Sequence, residues 1–173
     1  MNSIEQMYTY ISQGEYVVGK EATDVITTIL GSCVATCLWD PHAQIGGMNH
    51  FLLPDGGGAN DESSRFGAHA MELLINDMIK CGASRNRMRA KVFGGAQLRA
   101  GLTNAGEKNA RYVLEYLKKE KIPCDGSSLG GPHARRIEFR PYGGSVRQKF
   151  VSDAQVAPPA IVMPAPISDI ELF

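Results

Sequence analysis

The chain has 173 residues, with 18 basic and 18 acidic side chains and therefore no formal net charge. That balance argues against a nucleic-acid binder, which neutralises phosphates with a basic excess, and no apolar run reaches the roughly 18 residues of a membrane span. The start, MNSIEQMYTYISQGEY, lacks the basic, then apolar, pattern of a secretion signal, so a cytoplasmic protein without membrane insertion is expected, its cysteines held as thiols.

In chain order, Val17-Val18 and Thr23 to Leu30 (TDVITTIL) are β-branched and apolar and predict strands. Gly31-Ser32 interrupts. Cys33 to Trp39 (CVATCLW) is apolar on both alternating faces, as in a strand covered on both sides. Asp40-Pro41 starts a turn. Ile45 to Leu53 (IGGMNHFLL) is the returning strand, and DGGGAND after Pro54 is a flexible loop. The period then changes. Phe66, Ala70, Leu73, Leu74 and Met78 recur at helical spacing, with Gly82 as the stop. Lys91 to Phe93 is a short strand ending at Gly94-Gly95. A second helix follows in GEKNARYVLEYLKKEKIP, with Ala110, Val113, Leu114 and Leu117 on one face. ARRIEFR, PYGG and SVRQKFV form strand, turn and strand. Strands and helices mix without regular alternation, so the class is mixed α and β: one domain of packed mixed β-sheets flanked by two main helices, over residues 1–153. From Ala154 the composition turns Pro-rich, and 154–173 is expected to be a flexible tail or a docking peptide for a partner.

Cys33 is the candidate nucleophile. A cysteine in an apolar strand is commonly inert core. Here, however, it follows the Gly31-Ser32 turn, where exposed amides can hold an oxyanion. His50 is its natural partner. A hairpin pairing Leu38 with Ile45 also pairs Cys33 with His50; a one-residue slip sets Cys33 opposite Phe51 and turns His50 to the other face. Cys37, His42, His69 and His133 carry weaker signals. Cys33, Cys37, His42 and His50 together lack the tight pairs of structural zinc, so no metal is expected. Neither a Walker loop nor G-x-G-x-x-G is present, so no nucleotide cofactor is expected. A cysteine–histidine pair suits acyl chemistry through a thioester, with an amine, ammonia or an alcohol as leaving group.

TTILGSCVATCLWDP followed by IGGMNHFLLP resembles the signature of the chemoreceptor glutamine deamidases, the CheD family of bacterial chemotaxis. The resemblance runs from about Gly14 to Phe150, through AMELLINDMIKCGA, AKVFGGAQ, NARYVLEYLKKEKIP and LGGPHARRIEF. It departs from the family pattern at Ser128, where an acidic residue is expected before Leu-Gly-Gly. The resemblance implies a catalytic Cys33, a catalytic His50 and a third member at Thr27, six residues before the cysteine and next to Thr28, which orients the imidazole. It implies hydrolysis of glutamine side chains in the cytoplasmic region of methyl-accepting chemoreceptors, with no cofactor. Apart from the resemblance, backbone amides near Ser32 and Cys33, in the turn that Gly31 opens, are expected to hold the oxyanion. Some relatives bind a CheC-type phosphatase. The other reading is therefore a regulatory binding module for such a phosphatase, with its site idle.

Overall fold

The structure, a computed structural model, describes residues 5–54, 62–99, 104–152 and 171–173. Among these residues, ten strands and two α-helices follow in chain order. The strands are β1 (Met7–Tyr10), β2 (Tyr16–Gly19), β3 (Asp24–Leu30), β4 (Val34–Asp40), β5 (Ile45–Phe51), β6 (Arg89–Gly94), β7 (Cys124–Leu129), β8 (Ala134–Arg140), β9 (Ser145–Val151) and β10 (Glu171–Leu172). Helix α1 (Glu62–Lys80) precedes β6, and α2 (Ala105–Lys119) lies between β6 and β7. The strands form two five-stranded sheets, ordered β1-β3-β8-β9-β10 and β2-β5-β4-β6-β7. The layers are thus sheet, sheet and helices, as the mixed composition implies.

Alternation on β4 explains the layering. Ala35, Cys37 and Trp39 pack with Met48, Phe93, Ile26, Leu30, Ile137 and Phe139 between the sheets. Val34 and Leu38 point the other way, onto Met71, Leu74, Ile75 and Met78 of α1 and Val113 and Leu117 of α2. Every residue of β4 and β5 is buried, which fits the two-sided apolar run in the sequence.

Three details differ from the expectation. The buried stripe of α1 is Met71, Leu74, Ile75 and Met78, while Phe66 and Leu73 remain exposed. On α2 the buried stripe is Asn109, Val113, Tyr116 and Leu117, with Leu114 outside it. Glu171 to Phe173, expected in a tail, lie along the edge of the first sheet. The Phe173 amide donates to the Val146 carbonyl at 3.1 Å, and its ring meets Phe93 edge-on at 5.3 Å. The rest of that tail, like the DGGGAND loop after Pro54, lies outside the described residues.

Candidate active site

The β4–β5 hairpin sets the geometry. Asp40 pairs with Ile45, so the connection holds four residues. The buried Asp40 carboxylate closes it by accepting from the amides of His42 at 2.9 Å and Ala43 at 3.1 Å. Gln44 takes a φ of 57°, completing the reversal. This turn is tighter than the one that pairs Leu38 with Ile45, and the register moves by two residues. His50 therefore faces Ala35, and Phe51 faces Val34. The expected direct pairing of Cys33 with His50 is not formed, and Cys33 lies just ahead of the strand. A shift of two preserves side-chain parity, so His50 shares the inter-sheet face of Ala35.

Both residues border one loop, Ile11 to Glu15. The His50 amide donates to the Glu15 carbonyl at 3.0 Å, and the Gly14 amide donates to the His50 carbonyl at 2.7 Å. The Cys33 thiol donates to Gln13 Oε1 at 3.6 Å. Beside His50, a pocket of about 110 Å³ is lined in part by Gly14, Glu15, Asn49, Phe66 and His69.

The third member differs from the expectation. Thr27 does not reach the imidazole; its hydroxyl donates to the Ile137 carbonyl at 2.9 Å. Thr28 does, with Oγ1 2.8 Å from His50 Nδ1. Strand parity is the reason. Ile26, Thr28 and Leu30 face the other sheet, whereas Thr27 and Ile29 face away from it. Thr28 Oγ1 also lies 2.7 Å from the Ile11 carbonyl. A carbonyl cannot donate, so the one hydroxyl hydrogen of Thr28 goes there. The Nδ1 contact then needs its hydrogen from the ring. His50 is thus the Nδ1–H tautomer, and Nε2 keeps a free lone pair.

The pair rests in its neutral form. Burial pushes the Cys33 thiol up to about 11, partly offset by its own backbone amide facing the sulfur. Burial also lowers His50 to about 4, against the Ile11 carbonyl and the Glu15 charge, which favour the protonated ring.

The turn before Cys33 is fixed by its carbonyls. Gly31 O accepts from the Ala96 amide at 2.9 Å, and Cys33 O accepts from the Gly95 amide at 2.8 Å. Ser32 O accepts from Asn109 Nδ2 at 2.8 Å. Gly94, at φ 111°, has no room for a side chain, because a Cβ there would overlap the Cys33 carbonyl. Asn109 and Gln13 were not foreseen from the sequence. For Asn109 a signal existed, a polar residue in helical phase with Val113 and Leu117.

The remaining candidates are dispersed. Cys37 is fully buried, and its thiol is raised by desolvation. His42 sits in the turn at the far end of β4 from Cys33, and His133 is exposed beside the Phe150 ring; His69, exposed on α1, is the exception, since it borders the pocket beside His50. Among the described residues, no three His, Cys, Asp or Glu side chains are grouped to hold a metal ion. Among them too, no helix is long and apolar enough to cross a membrane. Ser128, at the departure from the family pattern, accepts through Oγ from the buried Arg135 at 2.9 Å.

A family model described as CheD chemotactic sensory transduction matches residues 52–150, an interval that begins just after His50. Similar proteins include the "Probable chemoreceptor glutamine deamidase CheD" of Agrobacterium fabrum (strain C58 / ATCC 33970), 51% identical, with 95% of each chain covered. The protein of the same description from Caulobacter sp. (strain K31) is 47% identical over 95% of this chain and 92% of its own. Among solved structures, Bacillus licheniformis hypothetical protein YfiH overlays with a TM-score of 0.45 at 12% identity, over 73% of this chain and 60% of that one.

Proposed function

The chain belongs to the CheD family of chemotactic sensory transduction proteins, and from that membership we propose that it hydrolyses glutamine side chains of chemoreceptors to glutamate, with Cys33 as nucleophile and His50 as general base and acid. The observation that carries this reading is the contact of Thr28 Oγ1 with His50 Nδ1 at 2.8 Å. Thr28 and Ile11 hold the ring through Nδ1, and the nitrogen left over is the one a base requires.

The steps follow from the groups present. The Cys33 sulfur attacks the side-chain amide carbon while Nε2 takes the thiol proton. A thiol raised by burial and an imidazole lowered by it favour this concerted transfer over a standing ion pair. The carbonyl oxygen becomes an oxyanion, for which the amides of Ser32 and Cys33 would be the donors. His50 then returns its proton to the departing nitrogen, and ammonia leaves a thioester. Water opens the thioester as Nε2 takes its proton, which goes back to the sulfur. The sum is glutamine plus water to glutamate plus ammonia. Thr28 acts through the ring, as the orienting group of a triad does, so we assign it the role that the resemblance gave to Thr27.

The test is mass spectrometry of a receptor cytoplasmic fragment incubated with the protein. Deamidation adds about 1 Da per glutamine and releases ammonia in equal amount. The gain is expected with wild type and absent with Cys33→Ala and His50→Ala. No gain with receptors from the same cell would favour a regulatory module for a CheC-type phosphatase instead.

A further inference from the structure

Asn109 is the fifth residue of α2 and is fully buried, on the stripe that also carries Val113, Tyr116 and Leu117. A buried amide among apolar side chains is costly unless its polar groups are bonded. Both of its functional ends are used. Nδ2 donates to the Ser32 carbonyl at 2.8 Å, and Oδ1 accepts from the Leu53 amide at 3.0 Å. These two partners belong to the segments that carry the reacting groups. Ser32 immediately precedes Cys33, and Leu53 follows His50 by three residues.

Peptide planarity gives the first bond a consequence. In a trans peptide the carbonyl and the following N–H point in opposite directions. Drawing the Ser32 carbonyl toward α2 therefore turns the Cys33 N–H away from α2. That N–H faces the Cys33 sulfur, the side on which an attacked carbonyl carbon must lie. The flanking carbonyls of Gly31 and Cys33 are held by backbone amides. The Ser32 carbonyl is held by a side chain, and so its orientation is open to a single substitution.

We infer that Asn109 is a positioning residue for the deamidation, orienting the Ser32–Cys33 peptide so that the Cys33 amide meets the developing oxyanion. The second bond, to Leu53, fixes the exit of β5 against the same side chain. Nucleophile turn and base strand are thereby tied to one point on α2. The inference rests on the deamidase reading.

Asn109→Asp is the sharpest probe. It keeps an oxygen for the Leu53 amide and presents an acceptor, in place of a donor, to the Ser32 carbonyl. Two rates are compared on the folded protein. One is turnover of a receptor fragment, resolved into kcat and KM. The other is alkylation of Cys33 by iodoacetamide, read by peptide mass at one fixed pH. Alkylation displaces iodide from a saturated carbon and forms no oxyanion, so the Cys33 amide enters it only through its effect on the thiol. The expected result is a kcat lower by about 10- to 100-fold, below the 10²–10³ seen when an oxyanion donor is deleted outright. KM should stay within about 3-fold, and alkylation should fall far less than kcat, because it feels that donor only through the modest lowering it gives the thiol. Asn109→Ala, measured below its own melting transition, is expected to show the same split. Turnover near wild type in a folded variant overturns the inference, and so does a parallel fall of turnover and alkylation, which marks a merely structural residue. Absence of turnover in wild type itself removes the deamidase reading, and the inference with it.

Discussion

Replacing Thr28 by Val exchanges a hydroxyl for a methyl of nearly the same shape at a position with no exposure. The hydroxyl makes two contacts, at 2.7 Å to the Ile11 carbonyl and at 2.8 Å to His50 Nδ1. Leaving a buried polar group unpaired costs roughly 1–3 kcal/mol. The Ile11 carbonyl and the ring N–H can recover part of this by bonding each other, since Ile11 already favours the protonated ring. A stability loss of about 2 kcal/mol is therefore expected. Catalysis loses the fixed tautomer and the fixed ring plane. The first permits a ring with Nε2 protonated, which cannot act as base, and the second loosens the attack geometry. Together they are expected to lower kcat by about 10- to 100-fold, equivalent to roughly 1.4–2.7 kcal/mol. Thr27→Val removes one bond to a strand carbonyl and is expected to cost about 1 kcal/mol in stability with turnover within about 2-fold of wild type, since it leaves the ring untouched. Thr28→Ser, which keeps the oxygen, should sit near wild type. Ammonia release from a receptor fragment measures turnover against a Cys33→Ala baseline, and thermal melts report folding. A larger loss of turnover in Thr27→Val than in Thr28→Val would refute the assignment of the imidazole partner.

Two further outcomes concern folding. The buried His50 titrates near 4 in the folded chain against an ordinary value of 6.5. Between those values the unfolded chain binds the extra proton, so stability rises with pH across this window and is lost as pH falls from 6.5 toward 4. Wild type should lose on the order of a few kcal/mol over that interval, while His50→Gln should show a flatter profile in denaturant titrations; equal slopes would remove the argument. At Ser128, an Asp would give the buried Arg135 guanidinium a carboxylate. At present it bonds the Ser128 carbonyl and hydroxyl and the Gly130 carbonyl, while its Nε has no partner among the described residues. Desolvation disfavours its charge. Ser128→Asp is expected to raise the denaturation midpoint by an amount equivalent to about 1–3 kcal/mol, and a lowered midpoint would count against it.

The sequence made the site's residue types legible more readily than their geometry. β4 and β5 stood out because an apolar run bounded by Gly-Ser and Asp-Pro has few other solutions. Their register was not visible, because it depends on how Asp40 caps its own turn and on Gln44 accepting a positive φ. Those two local choices moved His50 from Cys33 to Ala35 while keeping its face. The edge strands escaped for a different reason. CDGSSL of β7 has neither alternation nor β-branched residues, and it is a strand because β6 offers it a parallel ladder. MYTY of β1 is exposed throughout and pairs only at one sheet edge.

Thr27 and Thr28 show where periodicity reaches its limit. A strand with one wet face would announce its inward residues. In β3 both faces are largely covered, by the second sheet on one side and by Ala134, Val151 and Leu98 on the other. The hydroxyls of adjacent threonines then look alike in the sequence, and only the partner across the layer tells them apart. Asn109 is the opposite case. It breaks an otherwise apolar helical stripe, and an amide retained in a core needs partners for both of its ends. Its partners are the Ser32 carbonyl, just before Cys33, and the Leu53 amide, beyond His50. The polar residue that breaks the helical pattern is therefore the one that joins the segments carrying Cys33 and His50.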